Sequence, residues 1–211
     1  MAIGGLLKSS FCDWPGRVAA VVFVRGCNFR CPWCHNPSLV DPARFGPAVP
    51  EEEVLGWLAR RKGVLDGVVV SGGEPTLWPG LEPFLEEVRR LGFRVKLDTN
   101  GSRPDVVRRL KEHGLAECVA ADYKLPLRLY GLVGCRDAGP VAETLRLADW
   151  VRTTVVPGVH TDEVLAEMRR EFGALGVSAP WRFQPFRPGS YLDPAFSSVR
   201  RNPVGEACPV A

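Results

Sequence analysis

The chain has 211 residues, of which 45% are hydrophobic, and a formal net charge of +3 at pH 7. This length favours one domain with a sizeable core, and the charge is too small and too scattered to indicate nucleic-acid binding. No apolar run approaches the roughly 20 residues of a membrane span, and the N-terminus lacks the charged and apolar regions of a secretion signal. We therefore expect a soluble, cytoplasmic protein with no membrane partner.

Apolar, β-branched runs alternate with helical patterns along most of the chain. Strands are predicted over residues 18–24, 67–71, 93–97, 118–122, 151–156 and 181–185. Helices are predicted over 51–62, around 81–88, from a cap at Ser102 to about 113, over 141–148, and from a cap at Thr161 to 172. Strands that alternate with helices form right-handed βαβ units and a parallel sheet. The sequence thus predicts an α/β fold, an open partial (β/α)6 barrel of the TIM type with parallel strands. Residues 1–190 would form one domain and 191–211 an irregular C-terminal tail.

A cysteine-rich loop directly follows the first predicted strand. Cys27, Cys31 and Cys34 have the spacing C-x3-C-x2-C. Three thiolates on one short loop can bind three irons of a [4Fe–4S] cluster, which leaves the fourth iron open to a small molecule. An open metal position is typical of catalytic sites, so this spacing favours an enzyme.

Other chemistries of the same loop are less favoured. A zinc ion could be bound by the three cysteines together with His35. However, Cys34 and His35 are adjacent in sequence and cannot easily point at one ion, and the sequence has no second pair of zinc ligands. The stretch from Cys31 to His35 matches covalent haem attachment, which implies export and leaves Cys27 unused. A disulfide is unexpected in a chain without a secretion signal.

Polar residues and glycines stand where the other predicted strands end. Taken alone, the Gly72–Gly73 pair is more often an ordinary turn, and the Asp122–Lys124 pair is more often a solvated ion pair. However, the carboxyl ends of parallel strands share one edge of the sheet, where such folds place their active sites. The strand-end candidates are Gly72, Gly73, Glu74, Asp98, Thr99, Asp122, Lys124, Val156 and Arg187.

Together these motifs resemble radical S-adenosylmethionine (SAM) enzymes. Trp33 fills the aromatic position before the third cysteine. The segments 13–16 before the triad and 34–37 after it are similar to those of glycyl-radical-enzyme activases such as the pyruvate formate-lyase activating enzyme. The opening residues 3–6 and the short length most resemble the anaerobic ribonucleoside-triphosphate reductase activating proteins. Two alternatives remain: a small-molecule radical SAM enzyme similar to 7-carboxy-7-deazaguanine synthase, and a non-catalytic iron–sulfur or zinc protein.

The resemblance implies a set of cofactors and partners. The cofactors would be a [4Fe–4S] cluster on Cys27, Cys31 and Cys34, SAM, and a monovalent cation. SAM would be cleaved reductively, and the resulting radical would take a hydrogen atom from a glycine of a partner enzyme, the anaerobic ribonucleotide reductase. Flavodoxin or ferredoxin would donate the electron.

The resemblance also implies roles for individual residues. Gly72, Gly73 and Glu74 would hold the methionyl amine of SAM, and Trp33 and Val156 would contact its adenine. Asp98, Thr99 and Asp122 would lie near its carboxylate and hold the cation. Lys124 would steady the carboxylate or the incoming peptide, Arg187 would approach the ribose, and Asp13 would touch the peptide. His113, His160 and Cys118 are expected to be structural.

Overall fold

The computed structural model describes residues 2–187, 189–194 and 196. Its strands are β1 (Ile3–Ser10), β2 (Ala19–Val24), β3 (Gly67–Gly72), β4 (Arg94–Thr99), β5 (Cys118–Asp122), β6 (Trp150–Val155) and β7 (Trp181–Pro185). Its α-helices are α1 (Pro37–Val40), α2 (Glu51–Ala59), α3 (Leu81–Arg90), α4 (Pro104–Glu112), α5 (Gly139–Leu147) and α6 (Asp162–Ala174). Short 3₁₀ segments cover Pro42–Arg44, Pro75–Leu77 and Leu127–Val133.

The strands form one open sheet in the order β1-β2-β3-β4-β5-β6-β7. Strands β2 to β7 are parallel neighbours, which confirms the predicted α/β fold and its six parallel strands. Strand β1 was not predicted and pairs antiparallel with β2. Its sequence contains Gly4 and Gly5 and has little β-propensity, so pairing along the edge of β2 decides its conformation.

Two helix caps test the local predictions. Thr161 caps α6 as predicted, because its hydroxyl accepts a hydrogen bond from the Val164 amide at 3.4 Å. The predicted Ser102 cap is wrong: α4 begins at Pro104, and Arg103 occupies the cap position without a side-chain hydrogen bond. Proline at the first helical position already has a helical φ and needs no partner for an amide hydrogen.

Alternation along the strands separates the helix-packed face from the inner face of the barrel. In β4, Val95 and Leu97 join the large core beneath the helices, so Lys96 and Asp98 point to the other side. Cys118 is buried on that inner face against Trp14 and Val69, as a small core residue. The inner face is therefore apolar near the start of the strands and charged near their carboxyl ends. Within the described ranges, no helix is long and apolar enough to cross a bilayer.

Candidate active site

A cavity of about 330 Å³ lies at the carboxyl ends of the strands. Its wall joins the cysteine loop to the ends of β3, β4, β5 and β6, the edge at which parallel α/β folds place their chemistry. The structure thereby brings most of the predicted site residues together. Those on the wall are Asp13, Cys27, Cys31, Trp33, Cys34, Gly72, Gly73, Asp98, Thr99, Asp122 and Lys124.

The cysteine loop is held by backbone and side-chain hydrogen bonds. The Cys34 amide donates to the Cys31 carbonyl at 3.0 Å, which closes a tight turn. The Sγ of Cys27 accepts from the Phe29 amide at 3.4 Å and from the Asn100 side-chain amide at 3.6 Å. These donors would stabilise a thiolate at this position.

Burial opposes ionisation of the Cys27 and Cys31 thiols in the cluster-free chain. It raises the pKa of Cys31 to about 12, although nearby Lys124 opposes the shift. Burial and the Glu74 carboxylate also raise the pKa of Cys27. Because iron binds thiolates, loading the cluster must displace protons from this loop.

Gly72 and Gly73 press the turn after β3 against the cysteine loop. The Glu74 amide donates to the Gly26 carbonyl at 2.8 Å. A Cβ on Gly73 would stand 2.1 Å from the Gly26 oxygen, and one on Gly72, where φ is +114°, would stand 2.5 Å from the Val24 oxygen. Only glycine permits so close an approach of the two backbones, so the pair is required for this contact and is not an ordinary turn.

Glu74 is an internal anchor between the turns after β3 and β4. It is fully buried, and its Oε1 accepts from the Thr76 amide at 3.1 Å, the Thr76 hydroxyl at 2.5 Å and the Thr99 hydroxyl at 2.6 Å. Its Oε2 accepts from the Asn100 amide at 2.6 Å. Burial raises the pKa of this carboxyl, and the four donors oppose that shift. The Glu74 side chain is engaged in these contacts, so the backbone of residues 72–74 would make the predicted contact with the SAM amine. That contact stays a prediction.

Five charged side chains from β4, β6 and the end of β5 form a network that is buried at Lys96 and Asp98 and partly buried at Asp122, Lys124 and Arg152. Asp98 pairs with Lys96 at 2.5 Å and with Arg152 at 3.0 Å. Asp122 pairs with Arg152 at 3.1 Å and with Lys124 at 3.0 Å. Burial alone would raise the pKa of Asp122, but Lys124 and Arg152 outweigh it and hold that pKa at about 2.

The same contacts keep the bases charged. Burial would lower the pKa of Lys124 and of Arg152, yet the carboxylates beside them raise both pKa values. The Asp122–Lys124 pair is therefore a partly buried feature of the cavity wall and not a fully solvated surface pair.

Val156 and Arg187 lie off the wall of the cavity. Val156 is fully buried, and its amide donates to His160 Nδ1 at 2.9 Å. The other ring nitrogen of His160 contacts the Lys124 carbonyl at 2.8 Å, so His160 ties the ends of β5 and β6 together. The Arg187 side chain is exposed, and its carbonyl contacts His35 Nε2 at 2.8 Å. The predicted contacts of Val156 with adenine and of Arg187 with ribose stay predictions.

The start of the predicted tail packs on the cysteine loop. The Leu192 amide donates to the Cys34 carbonyl at 3.1 Å, and the Asp193 amide donates to the Pro32 carbonyl at 3.0 Å. The Phe196 ring lies 5.8 Å from the Trp33 ring. The remainder of the predicted tail, residues 195 and 197–211, lies outside the described residues.

Asn100 and Arg152 lie on the wall, contact predicted site residues and were not selected by the sequence analysis. The Asn100 side chain donates to Cys27 and, at 2.9 Å, to Asn28. Arg152 lies inside a predicted strand of a parallel sheet, which is covered on both faces. A single charged residue in such a strand is unusual, and it could have indicated a site residue. Arg152 contacts both aspartates of the network and lines the cavity.

The thiols fit an iron–sulfur cluster. All three reach one wall of one cavity, and a side-chain amide is aimed at the first of them. In the part of the chain that the structure describes, no three His, Cys, Asp or Glu side chains converge on a position for one metal ion. A cluster does not require that convergence, because each cysteine binds a different iron.

Comparison with known proteins identifies the family. Residues 21–121 match the Radical SAM superfamily model. The chain is also 31% identical over 196 residues to MJ1227 of Methanocaldococcus jannaschii, which is assigned by inference as a glycyl-radical enzyme activating enzyme. The match covers 87% of this chain and 80% of that protein. The chain belongs to the radical SAM superfamily. Its cofactors are therefore a [4Fe–4S] cluster and SAM, and the non-catalytic alternative is not supported.

Further relatives are matched over less of their length. The pyruvate formate-lyase-activating enzyme of Clostridium pasteurianum is 31% identical over 69% of this chain and 64% of its own. The 7-carboxy-7-deazaguanine synthase of Methanopyrus kandleri is 35% identical, but over 53% of this chain and 51% of its own. A solved structure, anSMEcpe with bound AdoMet, shares the fold with a TM-score of 0.61 at 19% identity, over 78% of this chain and 50% of that one. The chain thus spans about half to two thirds of the length of these three proteins.

Proposed function

We propose that this protein is the activase of an anaerobic ribonucleoside-triphosphate reductase. It would cleave SAM reductively and move one hydrogen atom from a glycine Cα of the reductase to the 5′ carbon of the SAM adenosyl group. The observation that carries the activase assignment is the similarity to MJ1227 along 87% of this chain. The choice of ribonucleotide reductase rests on the resemblance of residues 3–6 to those of the anaerobic ribonucleoside-triphosphate reductase activating proteins.

The chain's own residues have separable tasks in this reaction. The bound cluster and SAM together supply the one-electron chemistry that generates a 5′-deoxyadenosyl radical. Cys27, Cys31 and Cys34 would hold the cluster, and Asn100 would donate to Cys27 to stabilise its thiolate. Buried Phe29 and Trp33 close the wall of the cavity beside the loop and limit the access of water.

Charge at the site also suits the carboxylate of SAM. The charged network has three cationic and two anionic side chains, so its net charge is +1. Lys124 lies at the wall end of this network and, we propose, neutralises the SAM carboxylate or orients the incoming peptide. No general base is needed, because a hydrogen atom moves and not a proton.

The loop between β1 and β2 also contributes to the cavity. It lies at the amino-terminal ends of the parallel strands, because Ser10 pairs with Ala19 and Ala19 pairs with Gly67. From that side Asp13 lines the cavity. We propose that Asp13 meets the glycine-bearing segment of the reductase.

The test uses the cluster-loaded protein under strictly anaerobic conditions with a chemical reductant. Production of 5′-deoxyadenosine, together with a persistent organic EPR doublet when the reductase is present, is the expected result. The second candidate is supported by the 35% identity to the deazaguanine synthase. That candidate predicts turnover of the synthase's small-molecule substrate and no EPR doublet on any reductase. A separate comparison of flavodoxin with ferredoxin, each tested as reductant, would identify the proposed electron donor.

A further inference from the structure

The carboxylates expected to hold a monovalent cation already have cationic partners in this chain. Asp98 Oδ1 contacts Lys96 Nζ at 2.5 Å, and Asp98 Oδ2 contacts Arg152 Nη1 at 3.0 Å. Asp122 Oδ1 contacts Arg152 Nη2 at 3.1 Å, and Asp122 Oδ2 contacts Lys124 Nζ at 3.0 Å. Each of the four carboxylate oxygens is thus paired with a charged nitrogen of the chain.

The third expected ligand, Thr99, is also engaged. Its hydroxyl donates to Glu74 Oε1 at 2.6 Å and accepts from the Gly101 amide at 3.1 Å. Binding a metal ion through this oxygen would compete with both contacts. The residues present therefore do not fit a free cation.

Arg152 occupies the position between the two carboxylates. Its guanidinium is the group that contacts both Asp98 and Asp122, and its side chain is 19% exposed. An arginine keeps its charge at every accessible pH and spans two carboxylates through its planar fork of donors. A further cation would bring the network from +1 to +2 inside a partly buried site, which Coulomb repulsion opposes.

We infer that the Arg152 guanidinium takes the place of the monovalent cation, so that this enzyme needs neither Na⁺ nor K⁺ to bind SAM. Arg152 is a positioning residue: it neutralises Asp98 and Asp122 so that the cavity accepts the carboxylate group of SAM. The location of SAM at this wall rests on the proposed function, but the demand for a cation can be measured without SAM.

The experiment compares KCl, NaCl and choline chloride at one ionic strength. The first measurement is the melting temperature of the cluster-loaded protein without SAM, together with the ²³Na NMR linewidth as a direct probe of Na⁺ binding. The wild-type protein is expected to show the same melting temperature in all three salts and no saturable Na⁺ broadening. A saturable stabilisation by K⁺ or Na⁺ in the wild-type protein would overturn the inference, and no variant is needed for that result.

The second measurement is the dissociation constant of SAM in the same salts. Arg152→Ala leaves two carboxylates short of a partner, so its affinity in choline chloride should fall at least about tenfold, the equivalent of one charge-assisted hydrogen bond. K⁺ or Na⁺ should restore most of that loss by entering the vacated position. The control Arg152→Lys keeps the charge but not the fork of donors, so its affinity for SAM should depend on K⁺ or Na⁺ less than that of Arg152→Ala. A loss in Arg152→Ala that neither ion restores would contradict the replacement.

The two failures are distinguishable. If the wild-type protein binds no SAM in any salt, the proposed function fails, while the melting and NMR data still decide the demand for a cation. If SAM binds well but only with K⁺ or Na⁺ present, the cofactor assignment holds and the inference about Arg152 is overturned.

Discussion

Replacing Thr99 with valine tests whether the Glu74 anchor holds the two glycine-rich turns of the site together. Valine matches the shape of threonine but removes the hydroxyl. The Thr99 hydroxyl donates to Glu74 at 2.6 Å and accepts from the Gly101 amide at 3.1 Å, and Thr99 is 2% exposed. The substitution therefore removes one of four donors to a buried carboxylate and leaves a buried amide without its partner.

The expected cost follows from these two losses. A hydrogen bond to a charged group contributes about 1.5–3 kcal/mol and an unpaired buried amide costs about 1–3 kcal/mol, so we expect a loss of about 3 kcal/mol in the free energy of unfolding. Thr99→Ser is the matched control, since it keeps the hydroxyl and removes one methyl group, at a cost of about 1 kcal/mol.

Urea denaturation of the cluster-free chain, followed by circular dichroism, measures both variants. The valine variant should unfold at a clearly lower urea concentration than the serine variant, with an unchanged slope. If the two variants unfold within about 0.5 kcal/mol of each other, a difference too small for a lost charge-assisted hydrogen bond, the Glu74–Thr99 contact does not hold these turns.

Three further predictions concern the loop, the close approach and the buried histidine. Cys27→Ala should lose the cluster, measured as iron and sulfide per chain after reconstitution. The control Cys12→Ala alters an exposed cysteine outside the triad and should bind the full cluster. Equal iron and sulfide contents in the two variants would contradict the ligand assignment. Gly73→Ala should destabilise the chain by about 1–3 kcal/mol or more, because its Cβ would meet the Gly26 oxygen at 2.1 Å. The control Gly173→Ala in α6 has open space around the new Cβ and should be neutral or stabilising. Similar urea midpoints for the two variants would refute the close contact at Gly73. Burial is the main cause that lowers the pKa of His160 from 6.5. The unfolded chain therefore binds more protons than the folded chain at acidic pH. Stability should fall as pH drops below 6.5 and stay constant above it. His160→Gln should flatten that dependence between pH 7.5 and 5.5, and an equally steep dependence in the variant would show that other groups cause it.

The parallel part of the fold was predictable because each strand there is a short apolar run between helical patterns. Strand β1 was not, since its glycines and Lys8 resemble a loop until β2 provides a partner. The same limit explains the false cap at Ser102: a serine before a helical pattern is a good cap, but Pro104 fixes the first turn two residues later.

The candidate site divides in the same way. Residues that share a motif or a strand end, such as the three cysteines and Asp98, were found because their spacing alone places them at one edge. Arg152 and Asn100 act through contacts with residues that lie far away along the chain. Spacing therefore shows which side chains face the cavity, but not which of them pair with one another.

The most direct test of the central proposal follows the hydrogen atom. Anaerobic ribonucleotide reductase labelled with deuterium at its glycine Cα positions is mixed with the cluster-loaded protein, reductant and SAM. We predict one deuterium in the 5′-deoxyadenosine, together with an EPR signal that is a doublet in unlabelled reductase and collapses to a narrower line when the glycines are labelled. Cleavage of SAM at full cluster loading, with no deuterium transfer and no organic radical on the reductase, would contradict it.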